Sequence, residues 1–271
     1  ILEIINGEDI GVPLAVQKSL PMIEVFINEL VPRFRDGGCL FYVGSGTSGR
    51  LGVLDAAECP PTYRTDPEMV QGIIAGGYDA LVRSIEGAED CREEGYKVVS
   101  EHNITANDTV LGITASSSTP FVLGALEQAK KRGVLTGLII CNKPPHLEYV
   151  NHMISLIVGP EVITGSTRMK AGTATKLVLN MITTTLMIKL NKTYGNLMVD
   201  LKASNKKLWD RGTRIIVHLT GLDYEDSLQL LKSANGEVKT AIIMKKKNCT
   251  YEEGIQSLQN VSGSLKNALI S

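Results

Sequence analysis

Three loops in this sequence combine glycine, hydroxyl and cationic residues at spacings that suit an anionic ligand. The first, Gly44-Ser45-Gly46-Thr47-Ser48-Gly49-Arg50, follows a short apolar run and opens a helical pattern. Free backbone N–H groups at a helix N-terminus face an anion there. The same spacing matches Gly-x-Gly-x-x-Gly, which as a dinucleotide site requires an acidic residue about twenty positions on, at the end of the second strand. That strand is expected to end in Ala75-Gly76-Gly77, with Asp79 the nearest acid. The backbone at Gly46, the hydroxyls of Thr47 and Ser48 and the cation of Arg50 instead suit the oxygens of a terminal phosphate. A plain glycine turn with a serine N-cap is the simpler alternative. The second loop, Ala115-Ser116-Ser117-Ser118-Thr119-Pro120, follows the third strand in the same way, with proline where a first helical turn tolerates it. Its hydroxyls, from Ser116 to Thr119, are expected to converge on the same ligand. The third loop, Thr164 to Lys170, offers Ser166, Thr167, Arg168 and Lys170. Two cations in a first helical turn oppose the macrodipole, and an anionic ligand would relieve the conflict. Solvation of both cations is the alternative.

Two groups of carboxylates could supply proton transfer. Cys59-Pro60-Pro61 predicts that the helix Ser48–Glu58 stops at Glu58. A carboxylate at a helix C-terminus meets the negative end of the dipole, which favours the protonated, proton-donating form. A solvated terminal glutamate is the bland reading. Glu86, Glu89 and Asp90 crowd together in one segment, where carboxylates raise one another's pKa. Spacing does not choose among these three.

The elements that must position these residues alternate. A helical pattern from Val12 to Phe34 ends at Asp36-Gly37-Gly38. Strands are predicted at Leu40–Val43, Val70–Ala75, Thr109–Thr114, Val134–Cys141 and Ile154–Val158, with helices at Ser48–Glu58, Arg92–His102 and Pro120–Arg132 between them. Such alternation implies right-handed crossovers and an α/β doubly wound parallel sheet, which places loops at strand carboxyl ends around a ligand. After Asn205 short helices are predicted at Thr213–Leu219, Tyr224–Ala234, Val238–Lys247 and Tyr251–Gln259. The expected organisation is an N-terminal helical segment over 1–29, a phosphate-binding α/β domain over 30–195 and a small helical C-terminal domain over 196–271.

Composition narrows the ligand further. A net charge of −1 and 5% aromatic residues give neither a basic field nor a stacking surface, so no nucleic-acid partner is expected. The apolar stretch from Ala174 to Leu190 is too polar and too short to span a bilayer, and no signal peptide precedes the first helix, so the protein is expected in the cytoplasm. Five scattered cysteines read as reduced thiols. They and the four histidines lack ligand spacing, so no metal is expected.

Five ordered motifs now carry a resemblance. They are Tyr42–Pro61 (YVGSGTSGRLGVLDAAECPP), Gly72–Gly77 (GIIAGG), Glu86–Asp90 (EGAED), Gly159–Lys176 (GPEVITGSTRMKAGTATK) and Gly195–Asp200 (GNLMVD). Together they resemble bacterial N-acetylmuramic acid 6-phosphate etherases over nearly the whole chain. The resemblance implies a sugar isomerase (SIS) domain, a phosphosugar substrate, a homodimer and no cofactor. It implies two catalytic glutamates at Glu58 and Glu89, the first protonating the departing lactate and the second a partner acid/base. A non-catalytic phosphosugar regulator resembling the glucokinase regulatory protein is the alternative, although that protein has two such modules. An aldose–ketose isomerase and a nicotinamide dehydrogenase rank below it. The sequence departs from the family where Ser117-Ser118 replaces the usual Gly-Arg. The family also carries an N-terminal arm that this sequence, opening at Ile1, does not include.

Overall fold

The computed structural model describes residues 1–270. Three helices come first: α1 (Leu2–Asp9), α2 (Gly11–Gln17) and α3 (Leu20–Arg35). In α3 the residues Ile23, Phe26, Ile27, Leu30, Val31 and Phe34 recur three and four apart and are all buried, the stripe of a core-facing helix. The alternation then begins. β1 (Leu40–Gly44) leads into α4 (Gly46–Tyr63), and β2 (Val70–Ile74) into α5 (Asp79–Val82) and α6 (Arg92–Glu101). β3 (Thr109–Ile113) leads into α7 (Pro120–Lys131), β4 (Leu135–Ile140) is followed by β5 (His152–Ser155), and α8 (Lys170–Lys189) comes next.

The five strands form one sheet in the order β2-β1-β3-β4-β5, every pair parallel. β1, β3 and β4 are buried along their whole length, as strands covered on both faces must be. Glycines record which helix covers which face. A Cβ on Gly112 would lie 2.8 Å from Val122 of α7, and one on Gly137 2.9 Å from Phe26 of α3. On the Phe26 side α4 also approaches, since a Cβ on Gly52 would lie 2.9 Å from Tyr42. The crossover helix after β1 therefore covers one face and that after β3 the other. Between β1 and β3 the winding reverses, and the ligand crevice of a doubly wound sheet opens at such a point.

The helix predicted over Val12–Phe34 is broken at Lys18-Ser19 into α2 and α3, and a second misplaced boundary bears on a site residue. α4 does not stop at Glu58; it continues through Pro60 and Pro61 to Tyr63. The two prolines remove two intrahelical donors, yet their fixed φ suits a helix. The end is closed instead at Arg64, which adopts φ 53° and whose N–H donates to the Pro60 carbonyl at 2.9 Å. The preference of a pre-proline residue for extended backbone is outweighed here by packing: Cys59 is buried. Glu58 thus lies more than a turn inside the helix, beyond the reach of the terminal dipole. β5 also pairs earlier than expected, over His152–Ser155 against Gly137–Ile140.

Contacts divide the chain into two units, Ile1–Glu58 with Asp66–Leu186, and Cys59–Thr65 with the residues from Met187 onward. The second unit is helical: α9 (Lys206–Thr220), α10 (Tyr224–Ser233), α11 (Val238–Lys247), α12 (Tyr251–Gln259) and α13 (Leu265–Ile270). Asn205, Asp223 and Thr250 each accept a backbone N–H at a helix start, replacing the missing intrahelical partner. Its core gathers Ile216, Leu231, Val238, Ile242 and Leu265. Among the described residues no single helix is long and apolar enough to cross a membrane.

Candidate functional sites at the sheet's loops and beside α4

The glycine loop is tight for steric reasons. A Cβ on Gly44 would lie 2.6 Å from the Gly49 nitrogen, and one on Gly49 2.6 Å from Ile74 Cγ1. Side chains at either position would push α4 off the end of β1. Gly46 at φ 48° makes the turn itself. Beside this loop a cavity of about 330 Å³ is lined by Ser45, Gly46, Arg50, Glu86 and Glu89 among others. Ser45 Oγ donates to Glu89 Oε2 at 2.7 Å. Of the three clustered acids, Glu89 is therefore the one hydrogen-bonded to the glycine loop. The Arg50 guanidinium lines the same cavity but donates to the carbonyls of Leu81 and Arg83, at 3.0 and 2.9 Å. It ties down the segment that carries Glu89.

Glu58 lies elsewhere. It is exposed and lines a second cavity of about 260 Å³ with Leu51, Leu54, Asp55, Lys176, Leu179 and Asn180, between α4 and α8. Asp55 forms the buried floor, only 6% exposed. Its Oδ2 accepts from the Tyr42 hydroxyl at 2.9 Å, and its Oδ1 from Asn180 Nδ2 at 2.8 Å and Thr183 Oγ1 at 3.3 Å. Burial raises the Asp55 pKa, against the three donors and the nearby charge of Lys176. Asp55 escaped the sequence reading. Its signal was its place three residues before Glu58, on the same helical face. Glu58 and Glu89 line separate cavities.

The serine loop holds itself together. Thr114 Oγ1 shares a hydrogen bond with Thr119 Oγ1 at 2.7 Å, and Ser118 Oγ donates to Ser116 Oγ at 3.0 Å. Ser117 has φ 68°, a left-handed conformation that favours glycine, and its hydroxyl donates to the Ser116 carbonyl. Because β1 and β3 are neighbours in register, this loop and the glycine loop leave adjacent strands at the same edge. The third loop meets the first at Gly172, where a Cβ would lie 3.5 Å from Thr47 Cγ2 and 3.7 Å from the Thr167 carbonyl oxygen. Ser166 turns that loop, its carbonyl accepting from the Met169 N–H.

Of the two cations at the start of α8, Lys170 finds a protein partner, while Arg168 is exposed. Glu161 accepts the N–H groups of Lys170 and Ala171 at 2.9 and 3.0 Å, and the buried Lys170 ammonium donates to Glu8 Oε2 at 2.6 Å. Two carboxylates of this chain thus occupy the place expected for an external anion, satisfying the orphan donors and the dipole together. Glu161 was not singled out from the sequence, because its loop conformation leaves no periodic signal. Cys141, at the end of β4, is pushed up to about 11 by burial and rests as a thiol. Among the described residues no three histidine, cysteine or acidic side chains gather in a way that could hold a metal ion.

Residues 22–130 match the model of the glucokinase regulatory protein N-terminal SIS domain. The N-acetylmuramic acid 6-phosphate etherase of Clostridium acetobutylicum is 55% identical over 249 residues, covering 92% of this chain and 82% of the relative. N-acetylmuramic acid 6-phosphate etherase 1 of Bacillus licheniformis is 52% identical, with the same coverage of both chains. The Bacteroides fragilis etherase is 51% identical over 243 residues, covering 89% of this chain and 86% of its own.

Proposed function

Since this chain belongs to the N-acetylmuramic acid 6-phosphate etherase family, we propose that it is a lyase that cleaves the D-lactyl ether of N-acetylmuramic acid 6-phosphate. The products are N-acetylglucosamine 6-phosphate and D-lactate. The observation that carries the reading is 55% identity to a named etherase across 92% of the chain.

The chemistry needs two proton transfers and no redox step. Once the sugar ring opens to the aldehyde, the C2 proton is acidic enough to be removed. The lactate oxygen at C3 leaves well only if it is protonated as it departs. Removal of the C2 proton and loss of lactic acid give an unsaturated aldehyde, and water adds across that double bond to restore the C3 hydroxyl. In this reading Glu58 protonates the ether oxygen and Glu89 is the partner acid/base, oriented by Ser45 Oγ. Gly46, Thr47 and Ser48, the serine loop from Ser116 to Thr119, and Ser166 and Thr167 surround the phosphosugar, while Arg50 and Lys170, held by the Leu81 and Arg83 carbonyls and by Glu8, brace those loops. Their contribution is orientation.

The two glutamates line separate cavities, so the reading requires both to open onto one substrate, within a subunit or across a homodimer. We read the enzyme as a cytoplasmic homodimer; five free cysteines suit a reducing compartment, and sedimentation at assay concentration tests the dimer. The decisive experiment incubates the protein with N-acetylmuramic acid 6-phosphate and measures D-lactate and N-acetylglucosamine 6-phosphate. The expected outcome is equimolar release, abolished in Glu58→Ala while N-acetylglucosamine 6-phosphate still binds. Full activity in that variant would remove Glu58 from its role. The match of residues 22–130 to the regulatory-protein domain favours a second reading, a non-catalytic phosphosugar sensor. Phosphosugar binding without any lactate would support it instead.

A further inference from the structure

We propose that the cavity between α4 and α8 is the subsite for the O-lactyl group, with Lys176 pairing the lactyl carboxylate. The inference rests on the etherase reading and adds the residue that tells the substrate from other phosphosugars.

An O-lactyl group presents three features: an ether oxygen, a methyl group and a carboxylate. The cavity offers a partner for each. Glu58 comes from the same α4 stripe as Leu51 and Asp55, at steps of four and three residues, and supplies the proton for the ether oxygen. Leu51, Leu54 and Leu179 form apolar wall for the methyl group. Lys176 stands three and four residues before Leu179 and Asn180 on the facing stripe of α8 and supplies the cation. At about 260 Å³ the space accommodates a three-carbon acid.

Lys176 is also the cation of this cavity that no side chain engages. It is exposed, and among the described residues it makes no ion pair or hydrogen bond. Lys170 is engaged by Glu8, and Arg50 by two carbonyls. Asp55 does not consume Lys176 either, because Tyr42, Asn180 and Thr183 already donate to both of its oxygens. Lys176 itself lines the cavity beside Asp55. A phosphate dianion suits this place poorly: it has one cation, two carboxyl groups and no run of free backbone N–H groups, since it lies on helix faces away from either N-terminus. A single carboxylate matches a single ammonium.

The test compares Lys176→Met, Lys176→Arg and the wild type on N-acetylmuramic acid 6-phosphate and on its lactyl methyl ester. Lys176 is exposed, so both variants should retain the wild-type circular dichroism spectrum and urea midpoint. For the acid, Lys176→Met is expected to lower kcat/KM about thirtyfold, ~2 kcal/mol for a hydrogen-bonded charge pair, with Lys176→Arg recovering most of the loss. For the ester, wild type and Lys176→Met should agree within about threefold, and affinity for N-acetylglucosamine 6-phosphate should not change, as neither ligand carries the charge. Equal losses on acid and ester, or no loss on the acid, would overturn the subsite and leave the etherase reading standing. No lactate from the wild type would remove both.

Discussion

Replacing Arg50 with lysine separates two jobs that its position allows, holding a phosphate and holding the Glu89 segment. The guanidinium donates to the Leu81 and Arg83 carbonyls, the first bond half-buried and the second exposed. A hydrogen bond from a charged donor contributes about 1.5–3 kcal/mol, and exposure brings the value to the low end. Lysine lacks the planar fork and can keep one of the two bonds, so Arg50→Lys should loosen the segment by about 1.5 kcal/mol, roughly tenfold in its opening equilibrium. The segment from Val82 to Gly87 is exposed throughout, so this opening is local and the rest of the fold should be untouched. Amide hydrogen exchange read peptide by peptide should show about tenfold faster exchange over residues 80–90 and no change in β3 or β4. The rate of lactate release should fall with Glu89 misplaced, while calorimetric affinity for N-acetylglucosamine 6-phosphate stays within about twofold. The opposite pattern, affinity lowered tenfold or more with exchange unchanged, would refute the reasoning and return Arg50 to the phosphate.

Two further outcomes test the packing around the sites. Burial raises the Asp55 pKa in the folded state, so the folded protein holds this proton more tightly. The resulting stability is present below the unfolded value of 3.8 and is lost as pH rises through the folded value. Urea melts of wild type and Asp55→Asn should therefore show the wild type losing ground to the variant as pH rises from 3.8 through that window, and a difference that grows with pH in favour of the wild type would contradict the burial. A Cβ on Gly95 of α6 would sit 2.1 Å from the Phe121 carbonyl oxygen of α7, so Gly95→Ala should cost about 3 kcal/mol by forcing two helices apart. Gly7→Ala, with nothing within 4 Å, is the control and should gain about 0.5 kcal/mol; equal urea midpoints for the two variants would refute the close approach.

The sheet was legible because its central strands are buried on both faces. Leu40–Val43, Thr109–Thr114 and Val134–Cys141 are short runs of mostly apolar and β-branched residues free of charge, and the structure pairs β1, β3 and β4 along them. β5 was harder, since His152 and Met153 at the edge are only half-buried and carry no such run. Pro60-Pro61 misled for a different reason. Local backbone preference reads as a stop, and the packing that overrides it involves residues far along the chain, which no window detects. The same holds for the carboxylates. Glu89 was placed within a cluster of three but chosen by resemblance, and only the 2.7 Å bond from Ser45 singles it out physically. Asp55 was missed because its partners Asn180 and Thr183 lie far along the chain, and Glu161 because a loop residue that caps the start of α8 carries no periodic signal.

The extension of α4 past its prolines has a consequence for biosynthesis. Cys59–Thr65 belongs with residues made after Met187, and Arg64 pairs with Glu237, 173 positions later. At about 5–20 residues per second, a ribosome needs roughly 9–35 s to deliver that partner. Throughout that interval the Cys59–Thr65 end of α4 lacks the residues it groups with in the folded chain. A chain terminated before the C-terminal helices would leave Arg64 without Glu237 and Cys59–Thr65 without the unit it groups with.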